Sequence, residues 1–272
     1  MAMQVNTLYF SATGTTRKVV SRVAEELSEN LEKGMVVKSF DFTLPEARKE
    51  PLSFAKEDIV VIGVPVIAGR VPNVLLKYLN SIKGNEALAI AIVVYGNRNY
   101  DDALIELRDI LQLNSFKVIA GGAFVGEHSF SKILAKDRPD EKDMAIANNF
   151  ADQIYSKITA QVDFQIVSVK GNFPYRNYYR PKNLQGEAVD IRKVTPLTNS
   201  DCTNCKLCVS VCPMGSIDKE DVSKLIGICI KCGACIKSCP TEAKYYDDED
   251  YLRHKYELEI EFAARREPEL FI

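Results

Sequence analysis

At 272 residues the chain exceeds one typical domain, and its 46% hydrophobic and 26% charged composition is that of a globular protein with a real core. A formal net charge of −2 argues against nucleic acid or an anionic membrane surface as the main partner. The longest apolar stretch, Ala87 to Tyr95, is too short to span a bilayer, and no basic region followed by an apolar one opens the chain, so a cytoplasmic location without a membrane span is expected.

Over residues 1–160 short apolar runs alternate with helical patterns, which predicts a parallel sheet covered by helices. Strands are expected at Val5–Phe10, Met35–Phe40, Ile59–Val64, Leu88–Tyr95 and Lys117–Phe124. The last three are nearly all apolar, as in strands buried on both faces. Helices are expected at Thr16–Leu31, Pro72–Ile82, Asp101–Leu111 and Glu141–Ile158, with Thr15 or Thr16 capping the first and Pro72 in the first turn of the second. This order fits an α/β fold, a doubly wound five-stranded parallel sheet. From 161 to 200 the pattern breaks down: Val162–Val169 alternates like one strand, and Asn172–Pro181 is too rich in proline and aromatics for a plain flexible linker. A structured connector packed on one or both domains is expected there. Residues 201–243 hold a cysteine module, and in the tail, 244–272, Leu252–Arg266 has the spacing of a helix docked on the body.

All eight cysteines lie between Cys202 and Cys239. Clustered thiols in a chain with no export signal point to metal rather than to disulfides. Cys202, Cys205, Cys208 and Cys212 precede Pro213; Cys229, Cys232, Cys235 and Cys239 precede Pro240. Both halves read C-x2-C-x2-C-x3-C-P, offset by 27 residues. In this run of the bacterial ferredoxins the fourth cysteine ligates the other cluster. On that logic cluster I takes Cys202, Cys205, Cys208 and Cys239, and cluster II takes Cys229, Cys232, Cys235 and Cys212. A pair of zinc sites is the competing interpretation, but two consecutive two-residue gaps suit a cluster face better than one tetrahedral ion. The module resembles two-cluster [4Fe–4S] ferredoxins over its whole length, with Gly233 and Ala234 between ligands of cluster II where cluster I has Lys206 and Leu207.

The turn Ser11-Ala12-Thr13-Gly14-Thr15-Thr16 leaves the first strand and opens a helix, offering backbone N–H groups and hydroxyls to a phosphate. It has neither the lysine of a Walker loop nor a G-x-G-x-x-G pattern, and by itself is also compatible with a capped helix start. Pro65-Val66-Ile67-Ala68-Gly69-Arg70 follows the third strand and Gly96-Asn97-Arg98-Asn99-Tyr100 the fourth; in a doubly wound sheet both emerge beside the first turn. The three loops resemble the phosphate loop and flavin-flanking segments of flavodoxins, and the whole chain resembles the flavodoxin–ferredoxin fusion proteins of anaerobic bacteria. The resemblance implies FMN: Ser11, Thr13, Gly14, Thr15 and Thr16 on the phosphate, and Pro65 to Arg70 with Gly96 to Tyr100 around the isoalloxazine. It further implies close backbone approach at Gly69 and Gly96, stacking by Tyr100, and charge stabilisation by Arg70 or Arg98. Ile67 stands where a first aromatic could sit, leaving one ring face open. His128 is taken as structural, and Tyr175, Tyr178 and Tyr179 as packing between domains.

The expected function is electron transfer between two [4Fe–4S] clusters and FMN, coupling one-electron donors to a flavin. The partner is a redox protein or a small-molecule electron acceptor. No thiol nucleophile remains once every cysteine is a ligand, so catalysis, if any, falls to the flavin. The alternatives are an FMN-dependent terminal reductase of a small molecule and a docking module whose flavodoxin-like domain is empty. A homodimer would serve if flavin and cluster lie too far apart within one chain.

Overall fold

The computed structural model describes residues 3–160 and 163–272. The N-terminal body alternates strands β1 (Gln4–Tyr9), β2 (Lys38–Asp41), β3 (Asp58–Pro65), β4 (Leu88–Tyr95) and β5 (Lys117–Val125) with helices α1 (Thr15–Leu31), α2 (Asn73–Leu79), α3 (Ala103–Leu113) and α4 (Glu141–Thr159). The five strands are parallel in the order β2-β1-β3-β4-β5, the doubly wound arrangement. Alternate residues of the central strands serve two cores. Val60 and Ile62 pack toward α2 and α3, while Ile59 and Val61 pack toward α1 and α4. Both faces are covered, so the alternation expected of a half-exposed strand is absent.

Some boundaries differ from expectation. The second strand begins at Lys38 rather than Met35 and lies largely exposed at the sheet edge. Pro72, in extended backbone, precedes α2 rather than entering it, and α2 ends at Leu79. The cap of α1 is Gly14, in left-handed conformation, with no side-chain capping bond; neither Thr15 nor Thr16 caps it. The strand expected at Val162–Val169 starts outside the described residues, and from 163 to 169 the chain belongs to no strand. Its Val167 N–H donates to Val118 O at 3.0 Å, which lays the segment along β5.

The cysteine module contains two single-turn helices, α5 (Leu207–Ser210) and α6 (Ala234–Lys237). A two-stranded sheet joins β6 (Leu197–Thr198), from the connector, to β7 (Lys244–Tyr245). The tail forms helix α7 (Glu249–Glu261) and then β8 (Glu269–Phe271). This last strand pairs antiparallel with β5, making the sheet six-stranded, so the tail adds a strand to the N-terminal body besides the expected helix. Among the described residues no helix is long and apolar enough to cross a membrane.

Candidate functional site

The carboxyl ends of β1, β3 and β4 bring the three predicted loops to one edge. In the first, the Ser11 N–H donates to Thr43 Oγ1 (2.8 Å), while Ser11 Oγ accepts from Arg17 N–H (3.0 Å) and so caps the first turn of α1 from outside it. The backbone N–H groups of Thr13, Gly14, Thr15 and Thr16 find no acceptor among the described residues. A helix start with its first amides free is an anion cradle. Thr13, Gly14 and Thr15 also line a cavity of about 600 Å³. The phosphate end of FMN fits these residues.

The other two loops are held by the protein itself. Ile67 and Arg70 exchange N–H···O bonds (3.1 and 3.2 Å) around Ala68 and Gly69, both at positive φ (52° and 76°), a turn that suits glycine. A Cβ on Gly69 would overlap Asp101, and one on Gly96 would overlap the His128 ring. These glycines are thus already required by side chains of the chain itself. The Arg70 guanidinium is bidentate to buried Glu106 (2.7 and 2.7 Å) and lies under the Tyr175 and Tyr178 rings (4.7 and 5.0 Å). Those hydrogen bonds to Glu106 raise the Arg70 pKa against its partial burial. Arg98 is paired with Asp101 and covered by Tyr179 at 4.4 Å. Neither arginine presents the free cation expected of it.

Tyr100 does not offer a stacking face. Its ring is buried against Tyr95 (5.6 Å between centroids), and its hydroxyl donates to Glu269 at 3.0 Å. Burial, then this carboxylate, push its pKa far up, so the phenol stays neutral. Asn97 is buried too, donating to Phe262 O (2.6 Å) and Ala264 O (2.9 Å), so it fastens the tail. Asn99 is exposed and accepts from Asp101 N–H (2.9 Å). The loop surface left to a ring is therefore Pro65 to Ala68 with Gly96, Arg98 and Asn99, all at least partly exposed.

Of the connector tyrosines expected to pack between domains, Tyr175 and Tyr178 lie instead on Arg70 of the N-terminal body, while Tyr179 lies between Arg98 and His254 of α7, and the residue that places them is Asp102. Its buried carboxylate accepts from Asn172 N–H (2.9 Å), Asn172 Nδ2 (2.8 Å) and Arg176 N–H (2.7 Å). Burial alone would raise its pKa, but these hydrogen bonds outweigh burial and lower it. Tyr179 N–H then donates to Ala68 O (2.9 Å), laying the connector across the 65–70 loop.

In the cysteine module, Cys239 and Pro240 line one cavity with Cys202, Cys205 and Cys208. Cys212 lies instead with the second half: burial first, then the neighbouring Cys229 and Cys212, push the Cys232 thiol up to about 12, and Cys235 is raised likewise to about 12. Among the described residues no group of three Cys, His, Asp or Glu side chains is gathered as one metal ion would require. The pseudo-repeat persists in the backbone: Asn204 and Lys206 have positive φ (54° and 60°), as do Lys231 and Gly233 (54° and 75°).

Second-half residues carry contacts that the spacing of the cysteines does not reveal. Lys237, in α6, pairs with Glu127 and donates to His128 O (2.8 Å), and it lines the same cavity as Thr13, Gly14 and Thr15. A Cβ on Gly233 would stand 2.5 Å from Ser129 O. At the other end of the edge Arg48 donates to Pro213 O (2.6 Å), next to Cys212. The module thus straddles the loop edge of the sheet.

A flavodoxin domain model matches residues 7–128, and a 4Fe–4S dicluster domain model matches residues 201–244. Similar solved structures include a flavodoxin from the domain Archaea, 15% identical over 58% of this chain and 99% of that one, TM-score 0.35. The flavodoxin of Streptococcus pneumoniae TIGR4 is 14% identical over 57% of this chain and 99% of its own, TM-score 0.38. A short-chain flavodoxin associated with a PDU bacterial microcompartment is 16% identical over 58% and 99%, TM-score 0.37. No curated protein matches the chain. The fold and the two matched domains define a flavin and iron–sulfur electron-transfer protein. Its architecture is that of a flavodoxin–ferredoxin fusion.

Proposed function

We propose that the chain passes electrons between two [4Fe–4S] clusters and FMN, so that one-electron donors are coupled to a flavin. The observation that carries this reading is the shared cavity: Lys237, between cluster ligands Cys235 and Cys239, borders it together with the phosphate turn Thr13-Gly14-Thr15. Lys237 thereby sets the cysteine module against the wall of the cavity that holds the phosphate turn, and this proximity supports exchange between the two sites. FMN, when bound, supplies a carrier able to hold one or two electrons where a cluster exchanges one.

In this proposal Thr13 to Thr16 donate amides and hydroxyls to the phosphate, with Ser11 holding the turn through Arg17 N–H. Pro65 to Ala68 and Gly96, Arg98 and Asn99 border the ring, while Gly69, Arg70, Asn97 and Tyr100 shape those loops from beneath. Cys202, Cys205, Cys208 and Cys239 hold one cluster, and Cys229, Cys232, Cys235 and Cys212 the other. Residues 1–160 form the flavin domain and 201–243 the cluster domain, with 161–200 as a connector and 244–272 as a tail. The electron leaves to a redox protein or a small-molecule acceptor.

The experiment is anaerobic purification with iron and flavin analysis, then reductive titration followed by absorbance and EPR. About eight iron atoms and one FMN per chain are expected, the content of two four-iron clusters and one flavin site. A protein that loads iron but takes up no FMN on reconstitution would overturn the reading in favour of a docking module.

A further inference from the structure

The two halves of the cysteine pseudo-repeat are not placed alike. Contacts with the N-terminal body concentrate on the ligands of the second cluster. Gly233 abuts Ser129 O, Lys237 is bound to Glu127 and His128, Ile230 packs on the N-terminal core, and Arg48 holds Pro213 beside Cys212. On the first cluster's side one exposed ion pair, Lys132–Glu242 (2.7 Å), is the hydrogen-bonded or charged link found among the described residues. Cys205 and the adjoining Leu207 are exposed there. This explains an asymmetry in the repeat: Gly233 has no side chain because Ser129 occupies the space, whereas Lys206, its counterpart, meets no such neighbour.

A column of rings runs from the second half of the cysteine module to the flavin edge. The Tyr246 hydroxyl lies 3.8 Å from Cys229 Sγ, and its ring is 4.3 Å from that of Tyr251. Tyr251 is 4.6 Å from Phe130, and Phe130 is 5.2 Å from His128. The His128 ring fills the space beside Gly96, in the loop that borders the proposed flavin.

From this placement we infer that the clusters act in a fixed order. The cluster bound by Cys229, Cys232, Cys235 and Cys212 is the inner relay beside the flavin edge. The cluster bound by Cys202, Cys205, Cys208 and Cys239 is the outer port, at which an external single-electron carrier docks. The inference rests on the proposed function. With the clusters and flavin bound, each transfer would move one electron: the carrier would be oxidised by one electron as the outer site is reduced, the outer site would be reoxidised by the inner and the inner by the flavin, with no bond or proton changing hands at the cysteines. Tyr246 is a positioning residue whose hydroxyl donates to an inner-cluster thiolate; Thr241, with Oγ1 at 3.7 Å from Cys239 Sγ, is its counterpart on the outer cluster.

These hydroxyls supply labels. Donation to a ligand sulfur favours the reduced, more negative cluster, so Tyr246→Phe and Thr241→Val should each lower the potential of one cluster in an EPR-monitored titration of the whole protein. A soluble paramagnetic chelate should then relax the cluster marked by Thr241→Val several-fold more strongly than the one marked by Tyr246→Phe. Removing FMN should shift the potential of the Tyr246-marked cluster and leave the other unchanged. Equal relaxation of both clusters, an FMN response in the Thr241-marked cluster, or a Tyr246→Phe protein in which neither cluster shifts would each overturn the order. Failure to bind FMN at all sinks the functional reading instead, and the chelate comparison still decides which cluster is outermost.

Discussion

If the module is seated on the sheet edge through Gly233, a methyl group there should loosen the seam, and the cost can be separated from backbone strain. Gly233 and Gly215 both lie in the left-handed region, at φ +75° and +61°. An alanine at either carries a conformational penalty of about 1 kcal/mol. At Gly215 the new Cβ would rest 3.5 Å from Pro45 Cγ, an ordinary contact. At Gly233 it would stand 2.5 Å from Ser129 O, a backbone atom of the other domain that cannot swing aside. Overpacking of this kind costs about 1–3 kcal/mol, and here only the docked arrangement bears it. That energy corresponds to roughly a 10–100-fold shift toward undocked protein. The assay is anaerobic amide exchange with iron content checked in parallel. Gly233→Ala should speed exchange at the Phe130 and Ser131 amides, which donate to His128, by about that factor. Gly215→Ala should leave them near the parent rate. Equal behaviour of the two variants would refute a seam built on Gly233.

Three further outcomes are expected. Asp102→Asn turns one acceptor oxygen into a donor facing an N–H, so roughly 1.5–3 kcal/mol of connector anchoring is lost; limited proteolysis within 172–180 should accelerate at least ~10-fold. His128 is held neutral, its pKa pushed down to about 3 by burial and then by the Lys237 ammonium, while its Nδ1 accepts from Phe130 N–H at 3.1 Å. Its unfolded form protonates near pH 6.5, so folding loses stability as pH falls below that value, by up to about 2 kcal/mol at pH 5. His128→Asn keeps an acceptor but no titration, and the difference in Tm between it and the parent should shrink from pH 7 to pH 5; a constant difference would count against the argument. Thr13→Val removes one phosphate-turn hydroxyl worth about 1 kcal/mol, which a flavin-fluorescence titration should show as roughly five-fold weaker FMN binding.

What was readable in the residues themselves was whatever local chemistry dictates. The 4Fe–4S dicluster domain is written in the spacing of Cys202 to Cys239, which lets three thiols of one short loop face one side of a cluster. The parallel sheet is written in runs such as Leu88–Tyr95, which are apolar throughout because both faces are covered. Partners distant in sequence were not readable. β8 is three residues, Glu269–Phe271, and exists because β5 offers a free edge. Arg70 and Arg98 looked available to a flavin, yet Glu106 is 36 positions from Arg70, and the tyrosine rings come from a connector that lies in sequence well beyond both. The difference between Gly233 and Lys206 was visible, but its cause, Ser129, lies in another domain.

The paired arginines carry a consequence for the flavin's electron affinity. The phosphate turn offers neutral donors, and Arg70, the nearest guanidinium on the 65–70 loop, is cancelled by Glu106, itself buried and accepting also from Val71 N–H at 2.8 Å. A ring bound at this edge therefore gains no net cation from that loop, and reduction, which adds negative charge, is not favoured there. Glu106→Gln restores the charge while keeping an acceptor for Val71. Uncompensated, it should favour the reduced flavin by on the order of 1–2 kcal/mol, given an effective dielectric near 20. The substitution also leaves a half-buried guanidinium without its counterion, so a loss of stability of about 3 kcal/mol should accompany it. A redox titration of FMN in the two proteins separates these effects. A higher flavin potential in the variant supports a pair that keeps this edge neutral. An unchanged potential with the same loss of stability would make Arg70–Glu106 an anchor for Tyr175 and Tyr178 and nothing more.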